Sequence, residues 1–509
     1  MSNSIVLDGI QLTVYDLVKV CRERTPVSLD DAATTRMMEA RATVDRLLET
    51  GGVYYGINTG FGALADKRVK PADLAALQVD LVRSHAVGVQ ESLPTEIVRG
   101  MMALRLNTFA KGHSGVSAQV AELLLSMLNG GLHPIVPAKG SVGASGDLAP
   151  LAHVAITLLG EGRIEFAGEI LAARDALAKM GLMPAKLRPK DGLALINGTQ
   201  LMTAIGALAV YDLETIAETA ELVSACAIQV LRGSPDAYDS RMHNVRPQAG
   251  QVESARNMRE LTAGSSLLSA AGDSVEAGQY PQDPYSIRCV PQVMGAVRDT
   301  IRFAKGVIET EMNSANDNPL VFPDDGCIIS GGNFHGQPIA FVLDFLAIAA
   351  CSVTNLAERQ VYRMLDERLS NGLPPFLMLK GETPGLASGL MAAQYSMAAL
   401  ASENKVLAHP ASVDTIPTSA DYEDFVSMGP IAGLKLRSAI HNCMTSLAIA
   451  LIAVSRAADF RGVDKLSEPC RRLHERVRVL LGEMKKKQMG DLVGRLVEAI
   501  PNRELKMPR

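Results

Sequence analysis

The chain has 509 residues, of which 47% are hydrophobic, 21% charged and only 4% aromatic, and it contains no tryptophan. Its formal net charge of −5 is small for this length, which excludes an electrostatic argument for nucleic acid or an anionic membrane as a partner. Length and composition together predict helices packed on helices, in two or three domains or one extended helical architecture.

Cysteine and histidine spacing argues against a metal site. The seven cysteines are scattered singly and form no CxxC pair, which is typical of reduced thiols in a cytoplasmic protein. The nine histidines show no HExxH spacing, so we expect no structural zinc. The N-terminus lacks a basic start followed by an apolar core, so we expect no secretory signal. The apolar stretch at 338–353 is interrupted by Asp344 and predicts a buried helix, not a membrane span.

The predicted elements change character along the chain. Residues 1–215 are dense in glycine and proline, with a short helix at 121–129 and a hairpin at 160–171 turning at Ala167-Gly168. Residues 216–509 carry long apolar-periodic segments, at 291–313, 336–365, 388–407 and 430–459. We therefore predict a mainly α fold: a long-helix bundle (216–509) with a smaller, loop-rich N-terminal domain (1–215) containing minor β structure. Apolar faces this wide also predict an oligomer.

Five loops are unusually rich in polar groups for simple turns. Each opens or precedes a predicted helix and carries amide, phenol, guanidinium or imidazole side chains, which favours a site built by converging helix ends. They are YYGINTGFG (54–62), INGTQL (196–201), QDPYSIRC (282–289), NSANDNPL (313–320) and GGNFHG (331–336). Phosphate-loop, dinucleotide-binding and GxSxG patterns are absent, which argues against nucleotide cofactors and an esterase-like nucleophile.

The stretch GASGDLAP (143–150) suggests chemistry within the chain itself. The Gly146 nitrogen is the least shielded amide available to attack the Ala144 carbonyl, and glycine tolerates the backbone angles that a five-membered ring needs. The Ser145 hydroxyl can then leave as water, which would yield a methylidene-imidazolone electrophile. Asp147 is placed to move protons in that cyclisation and also suits a helix N-cap. A second copy, Ala387-Ser388-Gly389, lacks the acid, and there we predict a helix cap at Ser388.

GASGDLAP resembles the signature of the aromatic amino-acid ammonia-lyase and aminomutase family. The polar loops match family segments in the same order, as does ENKVLAHPASVDTIPTS, so the resemblance covers nearly the whole chain. It implies a mostly helical homotetramer whose active sites are assembled from several subunits. It also implies a 4-methylidene-imidazol-5-one formed from Ala144, Ser145 and Gly146, with no metal or nucleotide. A hydrolase using Ser145 directly and an inactive scaffold are the competing classes.

The resemblance implies roles for individual residues. Asp147 and Phe334 assist formation of the prosthetic group or shield it, and Tyr55 removes the β-proton of the substrate. Arg288 is the bidentate partner of the substrate carboxylate. The remaining matched positions contact the amine, the carboxylate or the prosthetic group, or support those contacts: Asn197, Gln282, Tyr285 and Glu423. The implied reaction is elimination of ammonia from an aromatic L-amino acid, which leaves an α,β-unsaturated acid.

Ser84-His85 occupies the selectivity position of the family and resembles the histidine enzymes, as does Met391. L-Histidine, converted to trans-urocanate, is therefore the expected substrate. Two departures keep alternatives open: Asp421-Tyr422 replaces the usual Asn-Gln before the acid, and Gln337 replaces the usual Glu. The alternatives are an ammonia-lyase for tyrosine or another aryl-alanine, and a 2,3-aminomutase that makes a β-amino acid.

Overall fold

A computed structural model describes residues 4–269, 282–383, 385–482 and 488–505. The first eight helices are α1 (Val14–Arg22), α2 (Asp31–Glu49), α3 (Leu74–His85), α4 (Thr95–Ala110), α5 (Ala118–Gly130), α6 (Leu148–Leu158), α7 (Ala173–Lys179) and α8 (Asp191–Ile196). The later helices are α9 (Gln200–Val230), α10 (Ser240–Asn244), α11 (Ala249–Thr262), α12 (Tyr285–Arg288), α13 (Val290–Met312), α14 (Gln337–Leu365), α15 (Met391–Leu407), α16 (Gly429–Arg461), α17 (Glu468–Leu481) and α18 (Met489–Ala499).

The strands are short and form four small sheets within the described ranges. They are β1 (Ile5–Leu7), β2 (Val27–Leu29), β3 (Val89–Ser92), β4 (His133–Pro134), β5 (Pro137–Lys139), β6 (Arg163–Phe166), β7 (Glu169–Ala172), β8 (Leu320–Phe322) and β9 (Cys327–Ile329). β1 pairs with β2 in parallel, whereas β3–β5, β4–β6–β7 and β8–β9 are antiparallel. The mainly α class with minor β structure is confirmed.

The chain divides into two compact units that are discontinuous in sequence. Unit 1 comprises residues 1–211, 304–344 and 410–434, and unit 2 comprises 212–303, 345–409 and 435–509. The division of the chain into domains 1–215 and 216–509 stays a prediction.

In unit 1, α4 is the central helix, because every residue from Ile97 to Ala110 is buried. It packs against α1 and α5, while α6 packs against α3 and α8. α4 also carries the buried polar side chains Arg99, Arg105 and Asn107 into the core. In unit 2, α17 packs against α11 and α18.

Most of the sequence predictions of helices and turns are confirmed. The hairpin at 160–171 is β6–β7, and both turn residues have positive φ, 53° at Ala167 and 85° at Gly168, as a tight hairpin turn requires. α5 and the four long predicted segments are also present. The 31-residue helix α9 was not predicted as one element, since it starts directly after the INGTQL loop. The predicted cap at Ser388 is wrong, because α15 begins at Met391 with Leu390 at its N-cap.

Among the described residues, two helices, α14 and α16, are long and apolar enough by composition to cross a membrane. However, 67% and 83% of their most apolar windows are buried within the protein. A buried core helix can be as long and as apolar as a membrane span, and the burial of α14 and α16 fits core helices. The prediction of a buried helix at 338–353 agrees with it.

Candidate active site

The tripeptide Ala144-Ser145-Gly146 lies in the loop that precedes α6. Gly146 has a φ of 70°, and it forms an isolated parallel bridge with Gly198. A Cβ added at Gly146 would overlap the carbonyl group of Gly198. Both the backbone angle and the lack of space therefore require glycine at this position.

Asp147 is completely buried directly after the tripeptide. Its backbone N–H donates to the Gly198 carbonyl at 2.6 Å. Its carboxylate Oδ2 accepts from the backbone N–H groups of Leu201 at 2.8 Å and Met202 at 3.2 Å. Burial raises the pKa of Asp147 to about 7, although the two N–H groups oppose that shift.

The carboxylate of Asp147 therefore caps a different helix from the one predicted. Asp147 stands at the N-cap position of α6, but its side chain makes no capping bond there. It instead accepts from N–H groups in the first turn of α9, where a helix leaves its donors without partners. The prediction that Asp147 caps the helix after the tripeptide is wrong in this respect, and the contact joins the tripeptide loop to the start of α9.

The segment Asn197-Gly198 holds the tripeptide from the other side. The Arg105 guanidinium, buried on α4, donates to the Asn197 carbonyl. The side-chain amide of Asn197 donates to the Asn318 carbonyl at 3.5 Å. Within the described ranges, Asn197 Oδ1 and Asp147 Oδ1 are buried without a hydrogen-bond partner. Acceptors are therefore available beside the tripeptide.

Tyr55 lies in the first polar loop, and its phenol is oriented by the same loop. The backbone N–H of Gly62 donates to Tyr55 Oη at 3.1 Å. Burial raises the pKa of Tyr55 above its ordinary value of 10.0, and the neighbouring Tyr422 and Glu423 raise it further. The Gly62 N–H opposes this, because a donor to the phenol oxygen favours the phenolate.

The carboxylate of Glu423 uses its two oxygen atoms for different partners. Oε1 accepts from the Ser145 hydroxyl at 3.3 Å, and Oε2 accepts from Thr418 Oγ1 at 2.8 Å. Thr418 and Glu423 also form an isolated antiparallel bridge. Ser145 is thus linked to an acid that is distant in sequence.

Tyr55, Ser145 and Glu423 line one cavity of about 430 Å³, formed entirely by residues of unit 1. Seven predicted site residues are among its lining: Tyr55, Ala144, Ser145, Asn197, Phe334, Tyr422 and Glu423. The other lining residues are Asn318, Ser330, Gly331, His335, Asp424 and Phe425. The cavity therefore combines two phenols, two carboxylates and an apolar wall around the tripeptide.

Ser84 and His85, the predicted selectivity pair, end helix α3 and are not among the lining residues of this cavity. His85 Nδ1 lies 2.8 Å from the Leu81 carbonyl. Since a carbonyl only accepts, we infer that Nδ1 carries a proton, which makes Nε2 the acceptor in the neutral ring. The Ser84 hydroxyl donates to the same carbonyl at 3.0 Å.

Four predicted site residues belong to unit 2. The Arg288 guanidinium lies over the Tyr285 ring, 4.6 Å from its centroid, and the Tyr285 side chain is 71% exposed. Gln282 is exposed. Met391, the first residue of α15, lines a cavity of about 360 Å³ in unit 2 whose walls include Tyr362, Phe376, Gln394 and Tyr395.

Sequence reasoning did not single out Thr418 or the additional lining residues of the unit 1 cavity. Asn318 and His335 lie in polar loops that were noted, so loop membership was an available signal. Thr418 lies in ENKVLAHPASVDTIPTS, a segment covered by the resemblance, but its contact with Glu423 was not predicted, because that contact exists only once the turn between them has formed. Within the described ranges, no group of three or more His, Cys, Asp or Glu side chains is placed to hold a metal ion.

The chain has a mainly helical fold and a cavity built around an Ala-Ser-Gly turn, a half-buried phenol and a carboxylate, and its relatives are carbon–nitrogen lyases. The sequence profile of the aromatic amino acid lyase family matches residues 12–479. The chain belongs to this family.

Individual relatives agree with this assignment. The chain is 48% identical over 474 residues to a histidine ammonia-lyase of Caldanaerobacter subterraneus, which covers 93% of this chain and 92% of that protein. It is similar to the crystal structure of a tyrosine aminomutase from Streptomyces globisporus, with a TM-score of 0.93, 39% identity and coverage of 99% and 97% of the two chains. A histidine ammonia-lyase from Trypanosoma cruzi has a TM-score of 0.90, 36% identity and coverage of 99% and 94%.

Proposed function

We propose that this chain is an ammonia-lyase that converts L-histidine to trans-urocanate and ammonia. The observation that carries the proposal is the 48% identity, over 93% of the chain, to a protein named histidine ammonia-lyase. The cavity supports it, because a tyrosine, a carboxylate and the serine of the tripeptide converge there without a nucleotide-binding motif.

The prosthetic group of the proposal is 4-methylidene-imidazol-5-one formed from Ala144, Ser145 and Gly146. The residues present fit that group, since Gly146 has the backbone angle and the close approach that only glycine allows. The buried carboxyl of Asp147, with a pKa of about 7, is suited to exchange protons during cyclisation at neutral pH. Once formed, the group supplies an electrophile that turns the substrate amine into a leaving group.

Tyr55 is the proposed base that removes the β-proton. A phenol with a raised pKa is mostly protonated near pH 7, so the base requires local stabilisation of its anion. The Gly62 N–H, which donates to the phenol oxygen at 3.1 Å, is one source of that stabilisation. Glu423 accepts from the substrate ammonium, and Asn197 supplies a buried amide beside the reacting atoms.

The remaining residues of the proposal recognise the two ends of the substrate. Arg288 binds the carboxylate as a bidentate partner, with Tyr285 and Gln282 beside it. Ser84 and His85 recognise the imidazole, with His85 Nε2 accepting from its N–H. Phe334 shields the prosthetic group, and Tyr422 contacts the ring of the substrate. Met391 of unit 2 is a further substrate-binding residue of the proposal.

We further propose a cytoplasmic homotetramer with active sites shared between subunits. Large apolar side chains of unit 2 are exposed, which favours burial against other copies. They include Phe303 at 58%, Phe345 at 41%, Ile348 at 46%, Tyr395 at 59% and Val406 at 66%. The exposed Tyr285 and the adjacent Arg288 are then available to a neighbouring subunit.

A second candidate is an aminomutase or lyase acting on tyrosine. It is favoured by the match to the tyrosine aminomutase of Streptomyces globisporus and by Tyr422 in the cavity lining. An aminomutase would return the ammonia to the β-carbon and yield a β-amino acid.

A panel of L-histidine, L-tyrosine and L-phenylalanine tests both candidates. The absorbance of the products distinguishes urocanate from cinnamate-type acids, and chromatography detects a β-amino acid. Urocanate formed from L-histidine alone is the expected result. Preferential turnover of L-tyrosine, or any β-amino acid, would establish the second candidate instead. The variant Ser145→Ala, which has no hydroxyl to lose, is the matched control and is expected to be inactive with all three.

A further inference from the structure

The turn from Thr418 to Glu423 contacts both the proposed acid and the loop of the proposed base. The backbone N–H of Thr418 donates to the Glu423 carbonyl at 3.0 Å, and the N–H of Glu423 donates back at 3.2 Å. Between them, Ser419, Ala420 and Asp421 all have positive φ, at 52°, 52° and 65°. Residues with side chains rarely adopt this conformation, so the turn is held by its surroundings.

Thr418 controls which oxygen of Glu423 is available to the cavity. Its Oγ1 donates to Oε2 at 2.8 Å, and that bond occupies one side of the carboxylate. The other oxygen, Oε1, accepts from the Ser145 hydroxyl at 3.3 Å. The proposed modification removes this hydroxyl, which leaves Oε1 as the acceptor for the substrate ammonium.

Ser419 is the contact between the same turn and the Tyr55 loop. Its Oγ accepts from the backbone N–H of Ala63 at 3.3 Å. It also fills the space beside Gly62 so closely that a Cβ on Gly62 would overlap it. Gly62 in turn donates to the phenol oxygen of Tyr55. The position of the donor to Tyr55 therefore depends on the turn.

We propose that Thr418 and Ser419 are positioning residues for the elimination, Thr418 by orienting the Glu423 carboxylate and Ser419 by holding the Gly62 N–H against Tyr55. This inference rests on the proposed function, because it assigns the acid and the base to these two side chains. Neither residue lines the cavity. Both act through Glu423 and Tyr55, the proposed acid and base, so their loss is expected to lower kcat more than it raises KM.

The experiment compares Thr418→Val, Thr418→Ser and Ser419→Ala with the wild-type protein. Valine keeps the β-branched shape and both backbone hydrogen bonds of Thr418, and replaces the hydroxyl by a methyl group. The matched control is Thr310→Val, at an exposed position of α13 where Thr310 Oγ1 donates to the Gly306 carbonyl of its own helix. Every variant is measured for kcat and KM, for thermal unfolding and for the mass of the peptide that contains residues 144–146.

Loss of a hydrogen bond to a charged group predicts that Thr418→Val lowers kcat by about 10- to 100-fold, with KM changed less than about 3-fold. Thr418→Ser restores kcat to within about 3-fold of wild type, because the donor is present again. Ser419→Ala lowers kcat by about 3- to 10-fold, since a neutral hydrogen bond is weaker. All variants retain the dehydrated peptide mass.

A Thr418→Val kcat equal to that of Thr310→Val overturns the inference, as does a rise in KM without a fall in kcat. If Thr418→Val does not fold, the kcat of Ser419→Ala is compared with that of Thr310→Val instead, and equal values overturn the inference. The proposed function fails separately, when the wild-type protein turns over none of the three amino acids. An active wild type with an unaffected Thr418→Val refutes only the positioning role.

Discussion

The Ser145 hydroxyl donates a hydrogen bond to Glu423 Oε1 at 3.3 Å, although 278 positions separate the two residues in the sequence. This contact places an acid against the serine of the tripeptide and makes the Ala-Ser-Gly turn part of a cavity. The second Ala-Ser-Gly, at 387–389, precedes α15 and is followed by no aspartate, so the two copies differ in surroundings as well as in sequence.

The variant Tyr55→Phe is expected to abolish elimination while leaving the tripeptide modification intact. Phenylalanine keeps the ring that packs in the loop and removes only the group that takes the proton. Intact mass should still show the loss of two water molecules across residues 144–146, and kcat should fall by at least about 100-fold. Tyr54→Phe, the same change at the adjacent residue, is the control and should retain activity. Full activity of Tyr55→Phe would place the base elsewhere.

The pH dependence of kcat/KM should follow the ionisation of Tyr55. Because burial raises the pKa of this phenol above 10.0, only a small fraction is deprotonated near neutrality, and that fraction grows about tenfold for each pH unit. We expect kcat/KM to increase with pH between about 7 and 9. Gly62→Ala, which disturbs the N–H donor to the phenol, should lower kcat/KM throughout this range. An activity that falls steadily over the same interval would contradict the role of Tyr55.

Asp147 should make the protein less stable as the pH rises. Its folded pKa of about 7 is raised above the ordinary value of 3.8, so between these values the folded state binds more protons than the unfolded state. Stability therefore falls with increasing pH, by a total of about 4 kcal/mol once both states have ionised, from 1.36 kcal/mol for each pKa unit.

The variant Asp147→Asn removes this titration and tests its sign. The Tm of Asp147→Asn minus the Tm of wild type should increase from pH 5 to pH 8. Its peptide mass should also show incomplete dehydration of residues 144–146, because the proton-exchanging group is gone. A Tm difference that is constant over this pH range would show that Asp147 does not titrate there.

The buried ion pair between Lys190 and Asp317, neither of which lines the cavity, provides a test of stability. The two side chains are fully buried, with Lys190 Nζ 2.9 Å from Asp317 Oδ2. Replacing Lys190 by Met leaves the Asp317 charge without its partner, so the free energy of unfolding should fall by about 3–5 kcal/mol. The double variant Lys190→Met/Asp317→Asn should lose less than Lys190→Met alone, as measured by chemical denaturation. Equal losses would show that the Asp317 charge costs no stability once Lys190 is gone, against this expectation.

The sequence by itself determined the helical class, the loop that carries the tripeptide and the identity of the polar loops. These features depend on local properties, such as helical periodicity and the preference of glycine for positive φ, which are readable from neighbouring residues. The Gly146 conformation and the β6–β7 turn were predictable for this reason.

Only the tertiary structure decided which groups meet. Asp147 is an acceptable cap for its own helix by sequence, yet its carboxylate bonds to Leu201 and Met202, because burial against α9 offers donors that are otherwise unsatisfied. Thr418 acquires its hydrogen bond to Glu423 through a turn that contains three residues with positive φ, which the sequence TSADYE does not predict. Contacts between distant segments depend on packing of the whole unit, and no local pattern encodes them.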